Sequence, residues 1–134
     1  MTAQTQGERA KPAIRALVAD ENPEIRKAIA RILRGLKGVE FGGAAGSMGQ
    51  LLALWERARA DLVVIDLSMV ALDGFSGLRR LRSTPGLRVV LLTIHDGAEL
   101  RAVAANGMAD SSICKSRIDR EMRVEIARLF PARN

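Results

Sequence analysis

Cysteine is almost absent: Cys114 stands alone among 134 residues, which excludes an internal disulfide and any cysteine-based metal cluster within the chain. It reads as a small buried hydrophobe. Aromatic residues amount to 3%, too few for the stacking platforms that single-stranded nucleic acid uses. Long apolar runs are missing as well. The longest, such as Leu62 to Ile65 and Val89 to Leu92, fall far short of the roughly 18–20 residues that a membrane span requires. Met1 to Lys11 is polar and has no apolar stretch ahead of a small-residue cleavage site. A signal peptide is therefore not expected, and the cytoplasm is the expected compartment.

What is present is an ordinary globular balance, with 48% hydrophobic and 27% charged residues, so a packed domain is expected rather than a disordered or repetitive chain. The length suits one fold and leaves no room for a second core. The formal charge of +6 raises the question of a phosphate-binding surface. The basic residues, however, come in ones and twos, with Arg79, Arg80 and Arg82 the densest group. They read as solvated helix faces, and no direct nucleic-acid contact is expected.

The chain alternates between two periodicities. Ile14 to Ala19 is a short apolar strand, after which Asn22 and Pro23 suit the N-cap and first position of a helix. Ile25, Ala28, Ile29, Ile32, Leu33 and Leu36 then recur on one helical face, and Gly35 and Gly38 are available to stop it. A glycine-rich strand is placed near Val39 to Ala44. Ser47 and Gln50 form a capping-box pattern ahead of a stripe of Met48, Leu51, Leu52, Trp55 and Ala58, which makes Trp55 a core residue. Leu62 to Ile65, ending at Asp66, reads as a strand buried on both faces. A loop through Asp73 and Gly74 leads to a short helix with Phe75, Leu78 and Leu81. A strand at Val89 to Leu92, a helix from about Ala98 to Asn106, a weak strand at Ser112 to Cys114 and a helix from about Asp119 to Phe130 complete the pattern. Five βα units imply a doubly wound parallel α/β domain. Residues 13–130 are assigned to it, with polar tails at 1–12 and 131–134.

In such a sheet the functional crevice lies beyond the carboxyl ends of the strands, and the residues there form a short set. Strand one delivers Asp20 and Glu21, strand three Asp66, strand four Thr93 and strand five Lys115. Crowded carboxylates repel unless a hard cation neutralises them, and Mg²⁺ suits oxygen ligands with positions left open for phosphate. Metal-assisted phosphoryl transfer follows, with Asp66 as nucleophile and Thr93 and Lys115 as stabilising donors.

These residues are the signature of response-regulator receiver domains, the CheY-like family, which the chain resembles over nearly its whole length. LVADENPEIRKAIARIL resembles the family's first strand, acidic pair and first helix. DLVVIDLSMVALDG resembles its phosphoacceptor strand and loop, and VVLLTIHD and ICKS its last two motifs. The wording LTIHD and CKS is most similar to receivers of helix-turn-helix transcriptional regulators. The resemblance implies a flavodoxin-like sheet of strand order 2-1-3-4-5. It implies that Asp66 accepts a phosphoryl group from a histidine kinase, and that Glu21, Asp66 and the Ser68 carbonyl ligate Mg²⁺ while Asp20 acts through water. Thr93 would bind the phosphoryl group and Lys115 pair with it. Signalling would proceed through the fourth and fifth units, including Leu100, Val103, Ala104 and the Ile113 strand, as a homodimer face or an output-domain dock. The domain would be regulatory rather than an enzyme.

Three positions depart from the pattern. Val70 replaces a common proline, a change expected to loosen the loop beside Asp66. Ser116 follows Lys115 in place of another. Ser112 occupies the position of the switch aromatic, which removes the usual threonine–aromatic coupling. His95, the only histidine, lies near the site and is assigned a modulatory role along with Ser112. The rival reading is a pseudo-receiver, an interaction module independent of phosphate. An aspartyl phosphatase is disfavoured, because Ser68 stands where such enzymes carry a second aspartate and no cap insertion is visible. Direct DNA binding by the basic surface would show itself as steep salt dependence indifferent to Asp66.

Overall fold

Strand β1 (Ile14–Ala19), helix α1 (Pro23–Arg34), β2 (Val39–Ala45), α2 (Met48–Ala58) and β3 (Leu62–Asp66) follow in order. Helices α3 (Leu67–Leu72) and α4 (Ser76–Arg82), β4 (Arg88–Thr93), β5 (Ser111–Cys114), a 3₁₀ turn at Lys115–Arg117 and α5 (Ile118–Leu129) complete the domain. The structure is a computed structural model and describes residues 13–73, 75–94 and 107–131. The helix expected over 98–106, with Leu100, Val103 and Ala104, lies outside the described residues, as do His95 and the N-terminal tail.

All strand pairings are parallel, and the sheet order is β2-β1-β3-β4-β5, the doubly wound flavodoxin-like arrangement that the sequence implied. Alternation along each strand sends side chains to two cores. Leu17, Val63, Ile65, Val89 and Leu91 pack with Leu51 and Trp55 of α2, Val70 of α3 and Leu78 and Leu81 of α4. Ile14, Ala16, Val18, Leu62, Val64, Val90 and Leu92 pack with Ile29 and Leu33 of α1 and Ile118, Met122 and Ile126 of α5. Period-two burial on both faces explains why the central strands read as unbroken aliphatic runs. No helix among the described residues is long and apolar enough to cross a membrane.

The helix starts follow local chemistry. Asn22 Oδ1 accepts the Glu24 N–H at 2.9 Å with Pro23 at the first helical position, which satisfies one orphan donor and needs none from Pro23. Ser47 Oγ accepts from Gln50 N at 3.1 Å. The Gln50 side chain reaches back one residue further than a capping box prescribes, accepting the Gly46 N–H at 2.8 Å. Trp55 is in the core, as expected, and carries the Arg59 guanidinium 4.5 Å from its ring centroid.

The segment after Asp66 departs from expectation, because the chain forms α3 where an open loop was anticipated. Asp66 is its N-cap and Val70 its fourth residue, fully buried. Proline there would remove a helical donor and drive Met69 out of the α region. Valine permits the turn to close, so the substitution tightens this segment rather than loosening it.

Packing around α4 yields a test. A Cβ on Gly77 would lie 2.5 Å from Met48 Sδ and 2.8 Å from Asp73 Oδ2, whereas one on Gly49 meets nothing within 4 Å. Gly77→Ala should therefore lower unfolding free energy by about 1–3 kcal/mol through overpacking. Gly49→Ala should raise it by about 0.5–1 kcal/mol through helix propensity. Urea denaturation of the two variants checks the opposite signs.

Candidate functional site

β1 and β3 are neighbours in the sheet, so their carboxyl ends place Asp20 and Asp66 side by side, 1% and 4% exposed. Lys115, the first residue after β5, puts its ammonium between them, 2.6 Å from Asp20 Oδ2 and 3.0 Å from Asp66 Oδ1. This is the centre of the site.

Each aspartate is held from its own strand end. Asp20 Oδ1 accepts the Asn22 N–H at 2.9 Å, and the Asp20 carbonyl accepts Arg26 Nη1 at 2.7 Å, which fixes the turn into α1. Among the described residues its buried Oδ2 has no hydrogen-bond donor beyond the ammonium. Asp66 Oδ2 accepts the Met69 N–H at 3.2 Å and the Ser68 hydroxyl, so one carboxylate oxygen caps α3 while the other faces Lys115. Burial alone would lower the Lys115 pKa. The hydrogen bonds and negative charges of Asp20 and Asp66 outweigh it and hold the ammonium above its ordinary value of 10.5.

Thr93 ends β4 and is buried, and Cys114, also buried, donates from its Sγ to the Ile94 carbonyl at 3.2 Å. Ser112 lies half-buried in β5 opposite Leu91 of β4. Glu21, adjacent to Asp20, is exposed and stays outside the acid–lysine cluster. The structure thus joins Asp20, Asp66 and Lys115 directly, sets Ser68 against Asp66, and leaves Glu21 apart.

Two contacts were not anticipated. The Ser68 hydroxyl engages Asp66, where only the Ser68 carbonyl had been given a role, as a Mg²⁺ ligand, and the signal for it was an Asp at a potential N-cap followed by Leu-Ser-Met-Val-Ala-Leu without proline. The second is Asp110 at the entry to β5. It accepts Arg82 Nη1 at 2.6 Å and the Val89 N–H at 2.8 Å, tying β5 to α4 and β4.

An open parallel sheet with buried strand-tip aspartates and an opposed lysine defines a CheY-like class of site. A family model described as the response regulator receiver domain matches residues 16–127, and the chain belongs to that family of two-component signalling domains. It is 32% identical over 83 residues to a protein-glutamate methylesterase/protein-glutamine glutaminase of Paramagnetospirillum magneticum, covering 61% of this chain and 22% of the relative. It is 32% identical over 82 residues to the response regulator GacA of Pseudomonas aeruginosa, covering 60% and 38%. The chain therefore spans well under half the length of these curated relatives, and its match to the methylesterase takes in only part of that enzyme. Among solved structures, a CheY-like receiver domain protein of Methanospirillum hungatei superposes with a TM-score of 0.76 at 23% identity, covering 90% of this chain and 96% of the other. The response regulator domain of Thermotoga maritima CheB gives 0.76 at 18%, covering 89% and 97%.

A hard divalent cation fits the donor chemistry of two buried carboxylates, one with an oxygen that meets only the Lys115 ammonium among the described residues. Its other expected ligands are placed differently: Glu21 is exposed, and Ser68 belongs to the first turn of α3, where helix geometry commits its carbonyl to the residue four positions on. Among the described residues no three His, Cys, Asp or Glu side chains converge as a metal-binding group.

The shift of Lys115 sets a pH window. Its folded-state pKa is raised, so the ion-pair contribution is complete below pH 10.5 and is lost as pH climbs through the raised value. Lys115→Gln should destabilise the domain by about 1–3 kcal/mol at pH 7, less than a fully buried pair because the lysine is partly solvated. The gap between wild type and variant should narrow only above pH 10.5. Denaturation curves collected from pH 7 to 11.5 measure it.

Proposed function

We propose that this domain is a phosphorylation switch in which Asp66 accepts a phosphoryl group from a sensor histidine kinase in a Mg²⁺-dependent reaction in the cytoplasm. The observation that carries the proposal is the pair of buried strand-tip carboxylates sharing one lysine ammonium. Among the described residues Oδ1 of Asp66 carries only that ammonium, whereas Oδ2 is taken by Ser68 and Met69. Oδ1 is thus the oxygen free to attack. It forms the new bond to phosphorus while the bond from phosphorus to the donor nitrogen breaks, and the electron pair leaves with that nitrogen.

Asp20 and Asp66 would hold the cation, joined by Glu21 and the Ser68 carbonyl once these turn inward. The cation supplies neutralisation of charge that develops on the phosphoryl oxygens. Lys115 lies within reach of Oδ1 and pairs with the transferred group. Thr93, buried at the neighbouring strand end, donates its hydroxyl to it. His95 and Ser112 modulate lifetime and coupling. The transferred charge alters the fourth and fifth units, which meet a second copy or an output domain. A transcriptional regulatory protein among the relatives, MctR of Rhizobium johnstonii, supports an output of that kind.

Intact-mass spectrometry after incubation with acetyl phosphate tests the chemistry. One phosphoryl group should be gained with Mg²⁺ and not without it, and Asp66→Asn should abolish the gain. A folded wild type that gains none would refute the proposal.

The α3 cap generates a separate expectation. Val70→Pro removes the donor for the Asp66 carbonyl and disfavours the helical form of Met69, so Asp66 Oδ2 and the Ser68 carbonyl should both be released. Calorimetric Mg²⁺ affinity should rise several-fold, along with the rate of phosphorylation, while lost burial of the Val70 methyls costs about 1–3 kcal/mol in stability. Unchanged Mg²⁺ affinity in the folded variant would show that the cap does not oppose binding.

A further inference from the structure

Helix α1 and the outer edge of the sheet line an open groove of about 500 Å³, one of whose lining residues, Arg26, also holds the Asp20 carbonyl. Its floor is apolar, formed by Ala30, Phe41 and Ala44, and its wall carries Lys27, Arg31 and Arg34. We infer that this groove docks an extended acidic segment of a partner protein, which joins the open edge of β2 as an added strand.

The backbone supplies the first half of the argument. Among the described residues β2 pairs only with β1 and stands at the edge of the sheet. The Ala45 carbonyl accepts the Asp20 N–H at 3.1 Å, so Ala45 faces β1. Alternation then turns the N–H and C=O of Ala44 outward. The strand bulges at Gly42, between the Ala16–Phe41 and Leu17–Gly43 pairings, but beyond the bulge it has no proline or lysine to guard the edge, and its one charge, Glu40, is paired with Arg15 at 2.9 Å.

Charge supplies the second half. Arg31 and Arg34 make no ion pair among the described residues, and the Arg34 guanidinium lies 4.7 Å from the Phe41 ring centroid. Stacking fixes that group while leaving its N–H edge available to a carboxylate. Among the described residues Lys27 pairs only with Glu24, at 3.9 Å and with both side chains well exposed, a pair worth little. The spacing also matches. Lys27 and Arg31 are one helical turn apart, about 6 Å along the axis, close to the roughly 6.7 Å between alternate residues of a strand. An added strand with carboxylates at alternate positions therefore sets one acid against each cation while its backbone pairs with β2. A polynucleotide would gain the cations but has no backbone donors for a strand edge, and the single ring of the floor is engaged by Arg34.

Fluorescence anisotropy tests this with a labelled eight-residue peptide alternating Asp and Val, a Lys and Val counterpart, and an eight-nucleotide thymidine strand. The full chain should bind the acidic peptide saturably, with no measurable binding of the basic one. The double variant Arg31→Gln with Arg34→Gln should weaken binding at least tenfold, and so should Ala44→Pro, which removes an outward donor and no sheet bond. Circular dichroism verifies that Ala44→Pro folds, and the double variant, altered only at exposed positions, carries the test if it does not. Absence of saturable binding, affinity unchanged in the double variant or in folded Ala44→Pro, or tighter binding of the oligonucleotide than of the peptide would each overturn the inference.

Discussion

Two carboxylates buried side by side repel each other and lose their hydration, a cost of several kcal/mol per ion unless a counter-charge is built in. Lys115 is that counter-charge, touching Asp20 and Asp66 together. The demand reaches through the whole fold. The carboxylates are neighbours because β1 and β3 are, and the ammonium arrives from β5 at the far edge, beyond β4. Strands stand about 4.8 Å apart, so the lysine must bridge more than one strand interval. It reaches only if β5 is firmly seated, and Asp110 provides that seating through Arg82 and the Val89 N–H. The acidic site and the seating of β5 are therefore mechanically one problem.

The other oxygen of Asp66 links the site to α3. Oδ2 accepts from the Ser68 hydroxyl and the Met69 N–H, so the helix and any ligand of that oxygen compete for the same lone pairs. Val70, buried at the fourth helical position, is what allows the competition to exist. A six-residue helix has little stability of its own. Its persistence rests on the cap and on the burial of Leu67, Met69 and Val70, which makes it an element that a change at Asp66 can bias.

Much of this was legible in the sequence, and the parts that were not share a cause. β3 could be read because burial on both faces leaves an unbroken aliphatic run, and α1 and α2 because their apolar stripes and caps are local. Asp20 and Asp66 could be placed at strand ends from the same patterns. α3 escaped because six residues are too few to display a period, and because its cap is the residue already read as chemistry. The pairing of Lys115 with both aspartates is a contact between distant parts of the chain, which strand-end logic suggested but local pattern could not fix. Glu21 shows the converse: adjacency to Asp20 in sequence suggested a shared site, yet the turn into α1 leaves it exposed.

Ser112, half-buried in β5 opposite Leu91, has no ring, so in the phosphorylation reading proposed above the change at Asp66 is followed through other contacts. The remaining connections are those the aspartate already makes. Conversion of its carboxylate to an acyl phosphate would remove the charge that Oδ2 presents to the α3 cap, and a capping interaction of this kind is worth about 1 kcal/mol. It would also move the ammonium's partner outward from Oδ1 to a phosphoryl oxygen, drawing on β5 through Lys115. A shift of that size in a two-state element changes its populations roughly fivefold. Two such effects acting on α3 and β5 together would be enough for the proposed switch without a ring, because a partner needs only differential affinity for the two arrangements.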